Sequence, residues 1–340
     1  MRLLESKIYD DDINRALKAL DLSSLCGKTI FITGGLGLIG STIVDVLLNF
    51  SNIEHIYVGA RSRQQYEDRF GGYRNVSFIE YDALKSINLD ISPDYIICGA
   101  GLSSPELYTQ MPVETMLSNF DGVRNLLDFA KENGNCRVLY ISSSEVYGKM
   151  NSSSPHVEDK YGTIDIANIR SSYAVAKKAS EMLCNAYNLE YGVDVVIVRP
   201  GHIFGPSAKK SDKRVSSDFA FKAAGGEKIV LKSSGLQKRS YCYSVDCAAQ
   251  ILLVLIEGER GQAYNVGQGK TTSIREIAEL YAKFGNVDLE TSEASNNELR
   301  RFNPMNDSSL DIHKLNALGY NTLFSVEEGL EHTVRILKGE

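Results

Sequence analysis

A phenol and an amine stand four residues apart in Tyr173-Ala174-Val175-Ala176-Lys177. On a helix that spacing puts both on one face. An ammonium near the phenol, with the positive ring of a nicotinamide, favours the phenolate and lowers the tyrosine's pKa. Tyr173 can then take a proton from an alcohol whose hydride leaves for a dinucleotide, while Lys177 holds the nicotinamide ribose. Earlier in the chain, Ile141-Ser142-Ser143-Ser144-Glu145-Val146-Tyr147-Gly148 ends an apolar run in hydroxyls and a carboxylate. Ser143 is the hydroxyl expected beside Tyr173 on the reacting oxygen, and Ser144 is expected against the substrate. Glu145 is aimed into the same crevice as a base or as an orienter of hydroxyls. A plain loop is the other reading of Ser142 and Ser144.

A third motif would hold the dinucleotide. Thr33-Gly34-Gly35-Leu36-Gly37-Leu38-Ile39-Gly40 follows an apolar strand and opens a helix. Gly34, Gly37 and Gly40 allow a pyrophosphate close to backbone N–H groups, and Leu38 and Ile39 begin the helix whose positive end faces it. The second strand runs into Val58-Gly59-Ala60-Arg61-Ser62-Arg63, with no carboxylate for the adenosine ribose hydroxyls. Arg61 or Arg63 suits a 2′-phosphate, as in NADP. Stacking on adenine or pointing to solvent is the alternative, so NAD and NADP both stay open. Asp82, after the third strand, reads either as an adenine contact or as a turn residue.

These side chains need a frame. Strand patterns at Thr29 to Thr33, His55 to Gly59, Val76 to Tyr81, Tyr95 to Gly99, Arg137 to Ile141 and Val193 to Val198 alternate with helical ones. Among the latter are Val113 to Lys131 and Ser171 to Asn188. Nearly continuous apolar strands between helices predict an α/β fold, a doubly wound parallel sheet of the Rossmann type with a smaller C-terminal substrate-binding lobe. The expected division is a helical extension over 1–26, a dinucleotide-binding domain over 27–200 with a return near 240–267, and a substrate lobe over 201–340. Thr272 or Ser273 caps a helix through Leu280, and Val326 to Leu337 forms the last helix.

The net charge of −6 argues against nucleic acid or an anionic membrane as partner. Lys209, Lys210, Lys213 and Arg214, or Lys238 with Arg239, could hold a small anion; the other reading of the first cluster, which is preferred, is a solvated loop. No apolar run is long enough for a bilayer, and the N-terminus lacks a signal-peptide layout. Scattered cysteines indicate a reducing compartment, the cytoplasm by default. The five histidines lack ligand spacing, so no metal is expected.

Taken in order, these motifs resemble the extended short-chain dehydrogenase/reductases, the family of nucleotide-sugar epimerases, dehydratases and decarboxylases. The likeness extends over roughly residues 27–335 in motif order. It includes R-P-G-H-I-F-G-P from Arg199, K-R-S-Y-C-Y-S-V-D from Lys238, A-Y-N-V-G from Ala263 and E-E-G-L from Glu327. The resemblance implies Ser143, Tyr173 and Lys177 as the catalytic set, Asp82 on adenine, Arg239 on the substrate diphosphate and His202 at a substrate-contacting position where the family often has asparagine. It implies a nucleotide-sugar substrate oxidised at carbon 4, and a homodimer paired through the helices around 113–131 and 171–188. Epimerases of the family resemble S-S-S-A-x-V-Y-G, and 4,6-dehydratases T-D-E-V-Y-G with an aspartic acid where Ser144 stands. The remaining pattern, S-S-E-V-Y-G, most resembles uronic-acid decarboxylases. The other readings are a 4-epimerase, a 4,6-dehydratase, an NADPH-dependent 4-keto-sugar reductase, which Arg61 and Arg63 would suit, and a non-catalytic dinucleotide-binding regulator on the same fold.

Overall fold

The computed structural model describes residues 3–134, 136–150, 155–294 and 307–340. Its frame is a parallel sheet of seven strands. Six come first in the chain: β1 (Thr29–Thr33), β2 (His55–Ala60), β3 (Val76–Glu80), β4 (Tyr95–Cys98), β5 (Arg137–Ile141) and β6 (Asp194–Pro200). The seventh, Ala263–Val266, returns from late in the chain and pairs with β6. The spatial order is Ala263–Val266, β6, β5, β4, β1, β2, β3, so the winding reverses between β1 and β4. Ligands of open parallel sheets sit outside the strand ends at that reversal.

The strands are apolar on both sides because both faces are covered. The first four α-helices are α1 (Lys7–Lys18), α2 (Leu38–Asn49), α3 (Arg63–Phe70) and α4 (Pro105–Gln110). In β1, Ile30 and Ile32 face one core with α2, while Phe31 faces the other. That second core takes Leu126 and Leu127 from α5 (Pro112–Asn133) and Cys184 from α6 (Ser172–Tyr191). Gly192, in the left-handed region at φ 74°, ends α6.

The N-terminal segment folds as a helix, Lys7–Lys18, with Tyr9, Ile13 and Ala16 fully buried in the first core. Tyr9 donates its hydroxyl to Asp45 of α2 at 2.7 Å. The later part of the chain supplies short strands and helices around the strand ends. Ser273 caps Ile274–Gly285 through a reciprocal capping box with Glu276, and Val326–Lys338 closes the chain. Among the described residues no helix is long and apolar enough to cross a membrane.

Candidate active site

The glycine turn lies at the winding reversal. Gly34 has φ +71°, and a Cβ there would sit 2.7 Å from the carbonyl oxygen of Gly99, so the turn closes against the end of β4 only as glycine. A Cβ at Gly40 would collide with Gly34's own carbonyl. Gly37 donates its N–H to Gly34 at 2.9 Å and forms the N-cap of α2, which begins at Leu38 and Ile39. The result is a side-chain-free cradle at a helix N-terminus, which fits the pyrophosphate of a dinucleotide.

Arg61 follows β2 and is exposed, whereas Arg63 folds back onto Phe78, 4.7 Å from the ring centroid, and onto Glu67 at 3.7 Å. Asp82 accepts the N–H of Leu84 at 3.1 Å as a turn residue.

On the other side of the crevice, β5 and α6 bring the catalytic candidates together. Ser143 accepts the N–H of Glu145 at 3.2 Å and lies near enough to the Tyr173 phenol to act against the rise that burial causes. Lys177 donates to the carbonyl of Ile141, the last residue of β5, at 2.7 Å. Its amine lies 5.8 Å from the Tyr173 ring centroid. Ser144 is buried at the start of a single 3-10 turn. Three groups far apart in sequence thus converge at one strand end.

The electrostatics differ from the sequence expectation. Burial pushes the Tyr173 phenol up to about 12, against the opposing effect of Ser143. Burial also pulls Lys177 down to about 8. Desolvation outweighs the ammonium because the amine is bonded to a backbone carbonyl and not to the phenol. The lowered phenol pKa anticipated from the Y-x-x-x-K spacing is therefore corrected for the protein alone.

Three further side chains enter the site, of which only Arg214 is named from the sequence, and not as a site residue. Tyr108, on the short helix Pro105–Gln110, stacks on Tyr173 with centroids 4.5 Å apart and planes 7° from parallel. Arg170 clamps Glu145 with two hydrogen bonds of 3.1 and 3.2 Å, both side chains being largely buried. The carboxylate expected as a base is thus held as an ion pair. Arg214 was assigned to a solvated loop; instead it is half-buried, bound to Asp212 at 2.9 and 3.1 Å, and near enough to Tyr108 and Tyr173 to act on them electrostatically. Arg170 carried a signal, since it stands three residues before Tyr173. Tyr108 and Arg214 carried none, because long connections place them.

Arg239 is buried and donates to Lys238's carbonyl at 2.9 Å. Burial, then Arg239, Arg214 and Arg170, hold His202 down at about 3, so the imidazole is neutral. Its Nδ1 is shielded from solvent and has no hydrogen-bond partner among the described residues.

The sequence pattern of the NAD dependent epimerase/dehydratase family matches residues 30–267. The chain belongs to this family. It is 30% identical over 328 residues to UDP-glucuronic acid decarboxylase 1 of Xenopus tropicalis, covering 94% of this chain and 74% of that protein. Likewise it is 30% identical to UDP-glucuronic acid decarboxylase 6 of Arabidopsis thaliana, over 88% of this chain and 86% of the relative. In fold it is similar to UDP-glucose 4-epimerase of Thermotoga maritima, solved with UDP-glucose, with TM-score 0.78 and 23% identity over 92% of this chain and 99% of the other. A dTDP-glucose 4,6-dehydratase from Bacillus anthracis, solved with NAD, gives TM-score 0.75 and 19% identity over 92% and 97%.

Within the epimerase/dehydratase family the arrangement supports proton transfer at a hydroxyl near Ser143 and Tyr173. It also gathers Arg170, Arg214 and Arg239 around His202. Glu145 is bound to Arg170 and Asp212 to Arg214.

Proposed function

We propose that the chain decarboxylates a uronic acid carried on a nucleoside diphosphate, through a ketone at carbon 4 of the sugar. A nicotinamide dinucleotide, which the Gly34–Gly40 turn and Lys177 would hold, would supply the hydride acceptor for the oxidation and the hydride donor for the closing reduction. Tyr173 and Ser143 would hold the carbon-4 hydroxyl between them, and Tyr173, kept protonated by burial in the protein alone, would take its proton once the positive nicotinamide ring offsets that burial. The ketone so formed lies β to the carboxylate, and carbon dioxide leaves as its bonding electrons pass into an enolate, which takes a proton from water at carbon 5 to restore the ketone that is then reduced. Ser143 and protonated Tyr173 donate to that enolate oxygen, which favours the charged intermediate over the ground state. Lys177, fixed by Ile141, binds the ribose of the nicotinamide half.

The observation that carries this reading is the gathering of Arg170, Arg214 and Arg239 around the neutral His202, beside the hydroxyl pair. A neutral hexose on a diphosphate calls for charge at one end; a uronic acid brings a further carboxylate next to the reacting carbons. Arg239 serves the diphosphate, and Arg170 with Arg214 serves the sugar end, near Tyr108 and Tyr173. The decarboxylase relatives support the same choice. Dehydration is disfavoured because Ser144 stands where an acid is required.

We further place the protein in a reducing cytoplasm, as its cysteines are all free thiols. It acts there as a homodimer.

The test is incubation with UDP-glucuronate, followed by mass spectrometry of the nucleotide sugar and measurement of released carbon dioxide. A pentose nucleotide is expected, and Tyr173→Phe should lower its formation by about two to four orders of magnitude. A product that keeps its carboxylate but is inverted at carbon 4 would refute decarboxylation. Unchanged turnover in Tyr173→Phe would refute the proton transfer.

A further inference from the structure

We infer that the adenosine end of the dinucleotide site is built for a ribose 2′-phosphate, so that the chain takes NADP in preference to the NAD of its family's name. The inference rests on the glycine turn holding a dinucleotide. Gly34 donates its N–H to Gly59 of β2 at 3.0 Å, which sets the end of β2 beside that turn. The adenosine ribose of a bound dinucleotide lies there, and its free hydroxyls require a carboxylate at the strand tip. The tip reads Gly59-Ala60-Arg61-Ser62-Arg63.

Of the two arginines, Arg63 is committed to Phe78 and Glu67. Arg61 is exposed, and among the described residues it makes no hydrogen bond or ion pair. A second cation arrives from far along the chain. Ser207 bonds the carbonyl of Leu38 at 3.1 Å and the hydroxyl of Thr42 at 2.9 Å, which fastens its loop over the first turn of α2. Two residues later Lys209 reaches the helix Arg63–Phe70, its amine 2.9 Å from the side-chain oxygen of Gln65. There it stands close enough to Arg61 for the guanidinium to lower its pKa, in addition to partial burial.

Two like charges drawn together at a nucleotide's edge are unfavourable until an anion joins them. The nearest acids do not serve. Glu67 pairs with Arg63, and Glu80, in register with Ala60 on β3, is exposed and pairs with neither cation among the described residues. A phosphate monoester suits the pair: a guanidinium offers two parallel donors and an ammonium a point charge. An unphosphorylated ribose gains nothing from either.

Calorimetric titration of the purified full chain, first freed of bound dinucleotide, with adenosine 2′,5′-bisphosphate and with 5′-AMP tests this without turnover. The bisphosphate should bind at least tenfold more tightly, and the double variant R61Q/K209Q should remove the difference. Acid extraction of the purified protein should release NADP as its dinucleotide. Equal binding of the two probes by the wild type, or a preference that survives R61Q/K209Q, overturns the 2′-phosphate site and leaves the dinucleotide site standing. Extraction of NAD alone does the same. Binding of neither probe overturns both.

Discussion

Glu145 follows β5 and Arg170 precedes α6, and their meeting as a doubly bonded pair decides what the carboxylate can do. Both side chains are largely buried, with exposures of 16% and 11%. Removing one partner of such a pair leaves an uncompensated charge, at a cost of about 3–5 kcal/mol, whereas replacing both by apolar groups is often neutral. Arg170→Met should therefore lower the unfolding free energy in urea by about that amount. The double variant R170M/E145L should regain most of the stability and stay inactive on the nucleotide uronate. Activity restored along with stability would reduce the pair to packing. At this scale Ser143, Tyr173 and Lys177 were legible because strand and helix periodicities fix where they point. The pair's second half was overlooked although Arg170 lies on the turn that delivers Tyr173. Tyr108 reaches the site from a six-residue helix whose sequence, between Pro105 and Pro112, shows no apolar periodicity. Spacing cannot reveal a stack made by tertiary packing.

The helix Lys7–Lys18 shows how an element can be foreseen and its role not. Its amphipathic pattern predicted the helix, but what it packs against is set by residues distant in sequence. Asp12 accepts from the Tyr243 hydroxyl at 2.9 Å and meets His332 Nδ1 at 3.0 Å. The hydrogen bond to Asp12 raises the His332 pKa above 6.5 despite partial burial. A base whose folded pKa is raised adds stability that is complete below its unfolded value and is lost as pH rises through the folded one. Asp45, lifted by burial from 3.8 to about 6, has the same sign, but its loss is largely over by pH 6. Between pH 6 and 8 the lowered His55, His156 and His202 also change stability, with the opposite sign, so His332 is read from the difference between the wild type and His332→Gln. The Tm of the wild type relative to His332→Gln should fall over that window, and parallel curves would show that the pair contributes no linkage. Strand positions were legible to within a residue or two. Gly59, Tyr81 and Gly99 were read as strand ends, but the strands finish at Ala60, Glu80 and Cys98, where the chain turns into the ligand loops.

Across the whole molecule, α6 connects the site to the outer surface. It points Tyr173 and Lys177 into the crevice and leaves Met182 and Leu189 at 69% and 89% exposure. Its neighbour α5 exposes Val113 at 62%, together with Met116 and Leu117. The two helices pack along each other on one face of the sheet, so a two-fold axis beside them would bury these side chains in a four-helix arrangement. The doubly wound parallel sheet could be anticipated from the alternation of strands and helices. Surface pairing is harder to read, because an exposed leucine looks the same in sequence whether solvent or a second copy meets it. Light scattering should give the mass of two chains for the wild type, and M182E/L189E should give the mass of one at micromolar concentration. The monomer should also unfold at lower temperature, because the helix bearing Tyr173 and Lys177 loses its outer packing. A dimer that survives both glutamates would place the two-fold axis elsewhere.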